Sequence, residues 1–341
     1  MLIVVVVIVV VFDFTNGFHD AADMIATAIA SRAVRPNVAI ALVCFATFLG
    51  PLTAGLAVAT TLGNFVDLGR LSTTAAEAVV VSALLAAVIY NVITWVLGYP
   101  SSSSNSLAGG LVGAALAAAG PSTIHWGLEA LAEGRLVGFA KVFSGLVLSP
   151  ILGFAVGFGC MKLMTVVLRR FTVAVRRPLV VTQYFTIAGL GYSHGANDAQ
   201  KGMAIIGMML LAHGVTPEFD VPLWAIVLPS LAITLGTAAG GWRIIKTLGF
   251  GIYRVRTIHA VANQTSAGLV NALATAMGAP TSTSQVVTAA LVGNGAAEKP
   301  RHVKWLTVAG IVGGWWFNFP VSIALGWLLF PALVSLIGGQ H

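Results

Sequence analysis

Apolar runs of about twenty residues recur along this chain, and they restrict its fold more than any other feature. Residues 38–62, 138–168, 222–242 and 303–337 each contain a stretch near the roughly 20 residues that a bilayer core demands. Charged residues make up 9% of the 341, against roughly 25% in a soluble domain, so most of the surface does not face water. The run Leu2–Phe12 has no basic region before it and no small-residue cleavage site after it. It therefore reads as the first half of a span, not as a signal peptide. Several such spans exclude a soluble domain behind a leader. Cys44 and Cys160 both sit in apolar runs, with neither metal-ligand spacing nor a disulfide framework.

The net charge of +7 could suggest a nucleic-acid partner, but its distribution argues for topology. Thirteen of the eighteen lysines and arginines fall in four connections. These are Arg32 and Arg35; Arg169, Arg170, Arg176 and Arg177; Arg243, Lys246, Arg254 and Arg256; and Lys299, Arg301 and Lys304. Basic connections stay on the cytoplasmic side, so loops 31–36, 169–177, 243–256 and 297–304 are expected there.

An internal repeat is visible. Gly98 to Asn105 reads G-Y-P-S-S-S-S-N, and Gly278 to Gln285 reads G-A-P-T-S-T-S-Q. Asn91 and Asn271, and Leu111-Val112-Gly113 and Leu291-Val292-Gly293, match at the same offset. Earlier in each half, G-F-H-D-A from Gly17 matches G-A-N-D-A from Gly195. Ordered matches at nearly constant spacing signal duplication. Tracing the spans so that every basic cluster lands on one side makes the halves antiparallel, an inverted-topology repeat. The expected units are 1–168, a basic cytoplasmic linker 169–181, and 182–341. The fold class expected is an all-α polytopic membrane protein with two Ser/Thr-tipped hairpins, re-entrant around Pro100 and Pro280. Helices broken at Gly17 and Gly195 are also expected.

A serine run is usually a linker, but apolar arms frame both of these. Irregular backbone at membrane depth survives only where it lines a protein-buried or watery cavity. A proline suits the first turn of the helix that follows. Free N–H groups, a positive dipole end and several hydroxyls there make an anion site. Ser101, Ser102, Ser103, Ser104 and Asn105, with Thr281, Ser282, Thr283, Ser284 and Gln285, are the candidate anion-binding residues.

Four of the eleven acidic residues, Asp13, Asp20, Asp23 and Asp198, lie inside apolar segments. A carboxylate there costs roughly 2.5–3.5 kcal/mol on insertion scales and usually marks an ion or proton path. Oxygen ligands of this kind suit a hard cation or a proton. The structural alternative is that Asp20 and Asp198 pair with Lys201 or cap helices. Lys201 either contacts the anion or neutralises a carboxylate. His19 and His194 flank the acids and are either proton relays or buried hydrogen-bonded imidazoles. Asn91 and Asn271 are expected to hold the hairpins together, and the sequon at Asn263 is discounted because it begins a hairpin.

These motifs resemble the inorganic phosphate transporter (PiT) family, bacterial low-affinity type. The likeness rests on Asn16–Ala30, His194–Ile206, both hairpin tips and the stretch Gly240–Gly249, and it covers nearly the whole chain. The resemblance implies phosphate uptake coupled to a cation, either sodium or protons with a metal–phosphate complex, and a homodimer in the inner membrane. By match of motif, Asp20, Asn197 and Asp198 are carried to the cation and substrate sites, and the hairpin hydroxyls to the anion; Asn16, His19 and Asp23 are further coupling-cation candidates. The chain departs from the family at His19 and Asp23, where asparagine is usual, and at Asn105 and Gln285, where histidine is. Sulfate, or another tetrahedral oxyanion, is the alternative substrate. A channel is the alternative transport mode. No nucleophile elbow and no zinc-protease motif accompanies the serines, so an enzyme is not expected, and no cofactor beyond the coupling cation is implied.

Overall fold

The computed structural model describes residues 2–171, 175–240 and 242–338. Positions 172–174 of the expected linker, Gly241, and the side chains of Arg243 and Lys246 lie outside that description. Among the described residues the regular elements are all helices. The first half comprises α1 (Leu2–Ser31), α2 (Pro36–Thr53), α3 (Ala57–Gly63), α4 (Thr73–Leu97), α5 (Ser103–Ala119), α6 (Leu128–Ala132) and α7 (Gly138–Leu168). The second half comprises α8 (Arg176–Ala212), α9 (Leu223–Ala239), α10 (Trp242–Gly251), α11 (Thr257–Ala276), α12 (Thr283–Glu298) and α13 (Trp305–Gly338). Helices α1, α2, α4, α7 and α13 are long and apolar enough to cross a membrane. Large apolar side chains such as Phe45, Leu306 and Trp316 are exposed on the outside, as a lipid-facing surface requires.

The hairpins form where expected. Ser72 caps α4 through the Ala75 N–H at 3.3 Å, and Gly98 closes it in the left-handed conformation at φ 75°, which glycine adopts without a Cβ penalty. The chain then turns through Pro100, and Ser102 accepts the Asn105 N–H to start α5. Ser282 accepts the Gln285 N–H in the same way to start α12.

Two expectations are corrected. The helices do not break at Gly17 or Gly195: α1 and α8 run continuously through both. Each glycine instead lets two helices cross closely. A Cβ on Gly17 would overlap the Ile233 carbonyl of α9, and one on Gly195 the Thr47 carbonyl of α2. The single span 38–62 is divided, because α2 ends shortly after Pro51 and Gly55 turns the chain at φ 79° into α3. The expected linker is partly helical, since α8 begins at Arg176.

Packing between the halves is reciprocal. Helix α1 packs on α9 while α8 packs on α2, and α7 packs on α12 while α13 packs on α5. Thr247 of α10 donates to the Gly98 carbonyl at the first hairpin tip at 2.9 Å, and Gly278 at the second tip lies against Ala57 of α3. Two large apolar cores result among the described residues, with a small third cluster at Met161, Ala262 and Ala297. One holds Phe12, Leu111 and Met203, and the other Ile25, Ile187 and Leu291. Residues bordering the basic connections, Val34, Val255 and Val303, all join the second core. Between the cores lies a polar layer.

Candidate functional site

The polar layer is built from one face of α1 and one of α8. Asp13, Asn16, Asp20 and Asp23 recur at helical spacing, so they line one face, and all are buried. On α8 the matching face carries His194, Asn197, Asp198 and Lys201, also buried. The two hairpin tips close on these faces.

The second tip makes the direct contacts. Ser284 donates to Asp20 Oδ1 at 2.5 Å and also lies against Asp23 Oδ2. A serine has one hydroxyl proton, so it cannot serve both carboxylates at once. Thr283 donates to Asp198 Oδ1 at 3.1 Å, and His194 Nδ1 lies 3.2 Å from the Thr283 hydroxyl. Asp198 Oδ2 receives Lys201 Nζ at 2.5 Å and Asn16 Nδ2 at 3.3 Å. Lys201 therefore neutralises a carboxylate here, and it shares a small gap with Ser104 and Pro280.

The first tip reaches the same centre by another route. Ser103 donates to Asn16 Oδ1 at 2.6 Å, and Ser104 donates to the Thr281 carbonyl at 2.5 Å. The tips thus touch each other directly. Ser102 and Ser282 are spent on capping, and Ser101 bonds to Asn318. Asn105 and Gln285 line an apolar cavity of about 460 Å³ bordered by α7 and α13. Asn197 holds the second hairpin, donating to Thr275 at 2.9 Å and accepting the Thr281 N–H at 3.0 Å.

His19 lies 3.6 Å from Asp20 and 3.4 Å from the Thr94 hydroxyl. Among the described residues, two groups could each hold a cation, His19 with Asp20 and Asp23, and Asp20 with His194 and Asp198; within each, the ligand atoms lie within 4.8 Å of one another. Asp20 belongs to both.

The hairpins differ in one respect. Asn271 bridges its arms, donating to Thr283 at 3.1 Å and accepting from Thr281 at 3.3 Å. Neither amide atom of its counterpart Asn91 has a partner among the described residues. Asn263, the sequon asparagine, is buried and donates to the Val287 carbonyl at 2.8 Å.

Four residues escaped sequence reasoning. Asn318 of α13 is buried and ties down the first tip, donating to the Ser102 carbonyl at 2.8 Å and accepting from Ser106 at 2.9 Å. A lone amide in an apolar span was the available signal. Gln200 accepts the N–H groups of Val58 and Ala59, both at 2.9 Å, and so caps α3. Glu77, just before the apolar part of α4, is buried beside His213 at 3.0 Å. Thr275 carried no signal, being one threonine among many.

The layer as a whole combines hydroxyl donors from two helix starts with carboxylates from two spans. Hydroxyls at helix starts have the chemistry that suits an anion, and carboxylates the chemistry that suits a cation. The phosphate transporter family profile matches residues 16–177 and again 166–326. The chain belongs to this family. It is 36% identical over 335 residues to a probable low-affinity inorganic phosphate transporter of Rhizobium meliloti, covering 97% of this chain and 96% of the relative. It is 35% identical over 326 residues to the Bacillus subtilis protein of the same description, covering 95% and 94%. A solved structure described as the sodium-dependent phosphate transporter superposes with a TM-score of 0.83 at 22% identity, over 97% of this chain and 98% of that one. At that identity the superposition speaks to the fold. Membership of this family makes the chain a multi-pass transporter and not an enzyme.

Proposed function

We propose that the protein imports inorganic phosphate, free or as its complex with a divalent metal, by symport with a proton or sodium ion. The observation that carries this is the meeting of Ser284 and Thr283 with Asp20, Asp23 and Asp198. The hydroxyls that would bind phosphate are here donated to carboxylates. A phosphate approaching those carboxylates meets like charge, which is costly in a buried site. A cation at Asp20 and Asp198 removes that repulsion. It also competes with Ser284 and Thr283 for the carboxylate oxygens, freeing those two hydroxyls as donors to phosphate; Ser103 and Ser104 of the facing tip join them by exchanging Asn16 and the Thr281 carbonyl for the anion. Cation first, anion second is the order this charge balance favours.

The inverted halves supply alternating access. The first hairpin meets α10 at its tip and the second meets α3, so each tip has a plug from the other half. On the positive-inside rule, the end carrying the basic connections is cytoplasmic and the bilayer is the cell's inner membrane. A homodimer completes the assignment, carried by likeness to the family.

Uptake of labelled phosphate into proteoliposomes, with imposed pH, sodium and magnesium gradients, tests this. Wild type should accumulate phosphate only with a cation gradient, and Asp198→Asn should abolish the dependence along with most of the flux. Arsenate should compete and sulfate should not. Sulfate competition at equal potency would point to the wider oxyanion reading, and gradient-independent flux above carrier rates to a channel.

A further inference from the structure

A second polar cavity lies far from the carboxylates, at the end of the molecule that carries the basic connections. It measures about 230 Å³ and is walled by Tyr253 and Arg254, by the first turn of α11 and by the end of α12 with Lys299 and His302. Helix α12 separates it from the hairpin tip. Fifteen steps at 1.5 Å each put the two roughly 22 Å apart.

The charges in this cavity do not balance. Glu298 is its one acidic residue, and both of its oxygens are occupied. Arg256 takes one and His259 Nε2 lies 2.8 Å from the other. His259 Nδ1 accepts the Arg256 backbone N–H at 3.0 Å, so the remaining ring proton sits on Nε2 and is donated to Glu298. Arg254, Lys299 and His302 have no carboxylate partner among the described residues. The Tyr253 hydroxyl is buried and has no hydrogen-bond partner among the described residues. Burial, reinforced by Glu298, pushes the Tyr253 phenol well up, so it keeps its proton and acts as a donor. A buried unmade hydrogen bond costs roughly 1–3 kcal/mol. Tyr253 thus offers a buried donor beside the exposed cations Arg254 and Lys299, and an acceptor with negative charge complements all three. A liquid water takes roughly 30 Å³, so a five-atom tetrahedral oxyanion fits with several waters.

We infer that this cavity is an anion-binding site, separate from the transport path, that takes a phosphate group through Tyr253, Arg254, Lys299 and His302. The group comes either from free phosphate in the aqueous phase or from a phospholipid headgroup. Bound there, it bridges the connection entering the second hairpin and the connection leaving it.

Equilibrium dialysis of radiolabelled phosphate against the full chain in phosphatidylcholine nanodiscs, with sodium and magnesium present, counts the sites. The wild type should bind two phosphates per chain. Arg254→Gln with Lys299→Gln should remove one, weakening it at least tenfold, and Thr283→Ala should remove the other. Tyr253→Phe, which keeps shape and burial, should weaken the first by several-fold without touching the second. Displacement of that phosphate by phosphatidylglycerol discs identifies a headgroup as occupant, and its persistence identifies free phosphate. If the wild type binds one phosphate that only the Arg254 and Lys299 changes remove, this site stands and the transport-site assignment fails. If the Arg254, Lys299 and Tyr253 variants all bind as the wild type does, the inference is overturned.

Discussion

Asn318 is a single amide in a 34-residue apolar helix, and it illustrates how residues hold this site. Its side chain meets Ser101, the Ser102 carbonyl and Ser106. Asn318→Ala would leave the Ser101 hydroxyl buried without a partner among the described residues, at about 1–3 kcal/mol, and would remove one bond each from the Ser102 carbonyl and Ser106, which keep each other. The variant should melt several degrees lower in detergent and lose uptake in step, as thermal unfolding and flux measured on one preparation would reveal. The corresponding role in the second hairpin falls to Asn197 and Asn271, within the repeated motifs, and those were legible because the repeat pointed at them. Asn318 lies outside any repeated motif.

At the scale of elements, the paired hairpins with helix starts at their tips could be read from sequence; that Ser102 and Ser282 cap those helices could not. The continuity of α1 and α8 could not. A glycine in a helical run is compatible with a break or with a close crossing, and only the neighbour decides. At Gly17 the neighbour is Ile233, and at Gly195 it is Thr47. Small residues commonly mediate such crossings in membranes. Gly195→Val should drive α2 and α8 apart, costing about 1–3 kcal/mol by overpacking, with a lower unfolding temperature and a shifted Asp198. A variant as stable and active as wild type would show that the crossing tolerates a side chain and would restore the hinge reading. The division of 38–62 was equally hidden, because Pro51 lies inside a helix that continues past it to Thr53.

Across the whole molecule, the arginine map and the repeat offset led to a two-half chain, and the reciprocal packing of α1, α9, α8 and α2 is what such a chain produces. The plugs at the hairpin tips make alternation testable. Ala57→Cys and Thr247→Cys should be labelled by impermeant thiol reagents from opposite faces, Thr247→Cys from the basic face. Phosphate with its coupling cation should change both reactivities in opposite directions. Parallel changes would contradict a rocking exchange between halves.

The central claim is that hydroxyls from both hairpins bind one phosphate. Initial uptake of labelled phosphate by Ser104→Ala and Thr283→Ala, one from each tip, addresses it most directly. A hydrogen bond to a charged group is worth about 1.5–3 kcal/mol, so each variant should lose roughly tenfold or more in transport efficiency. Wild-type uptake by either variant would contradict a site shared between the halves.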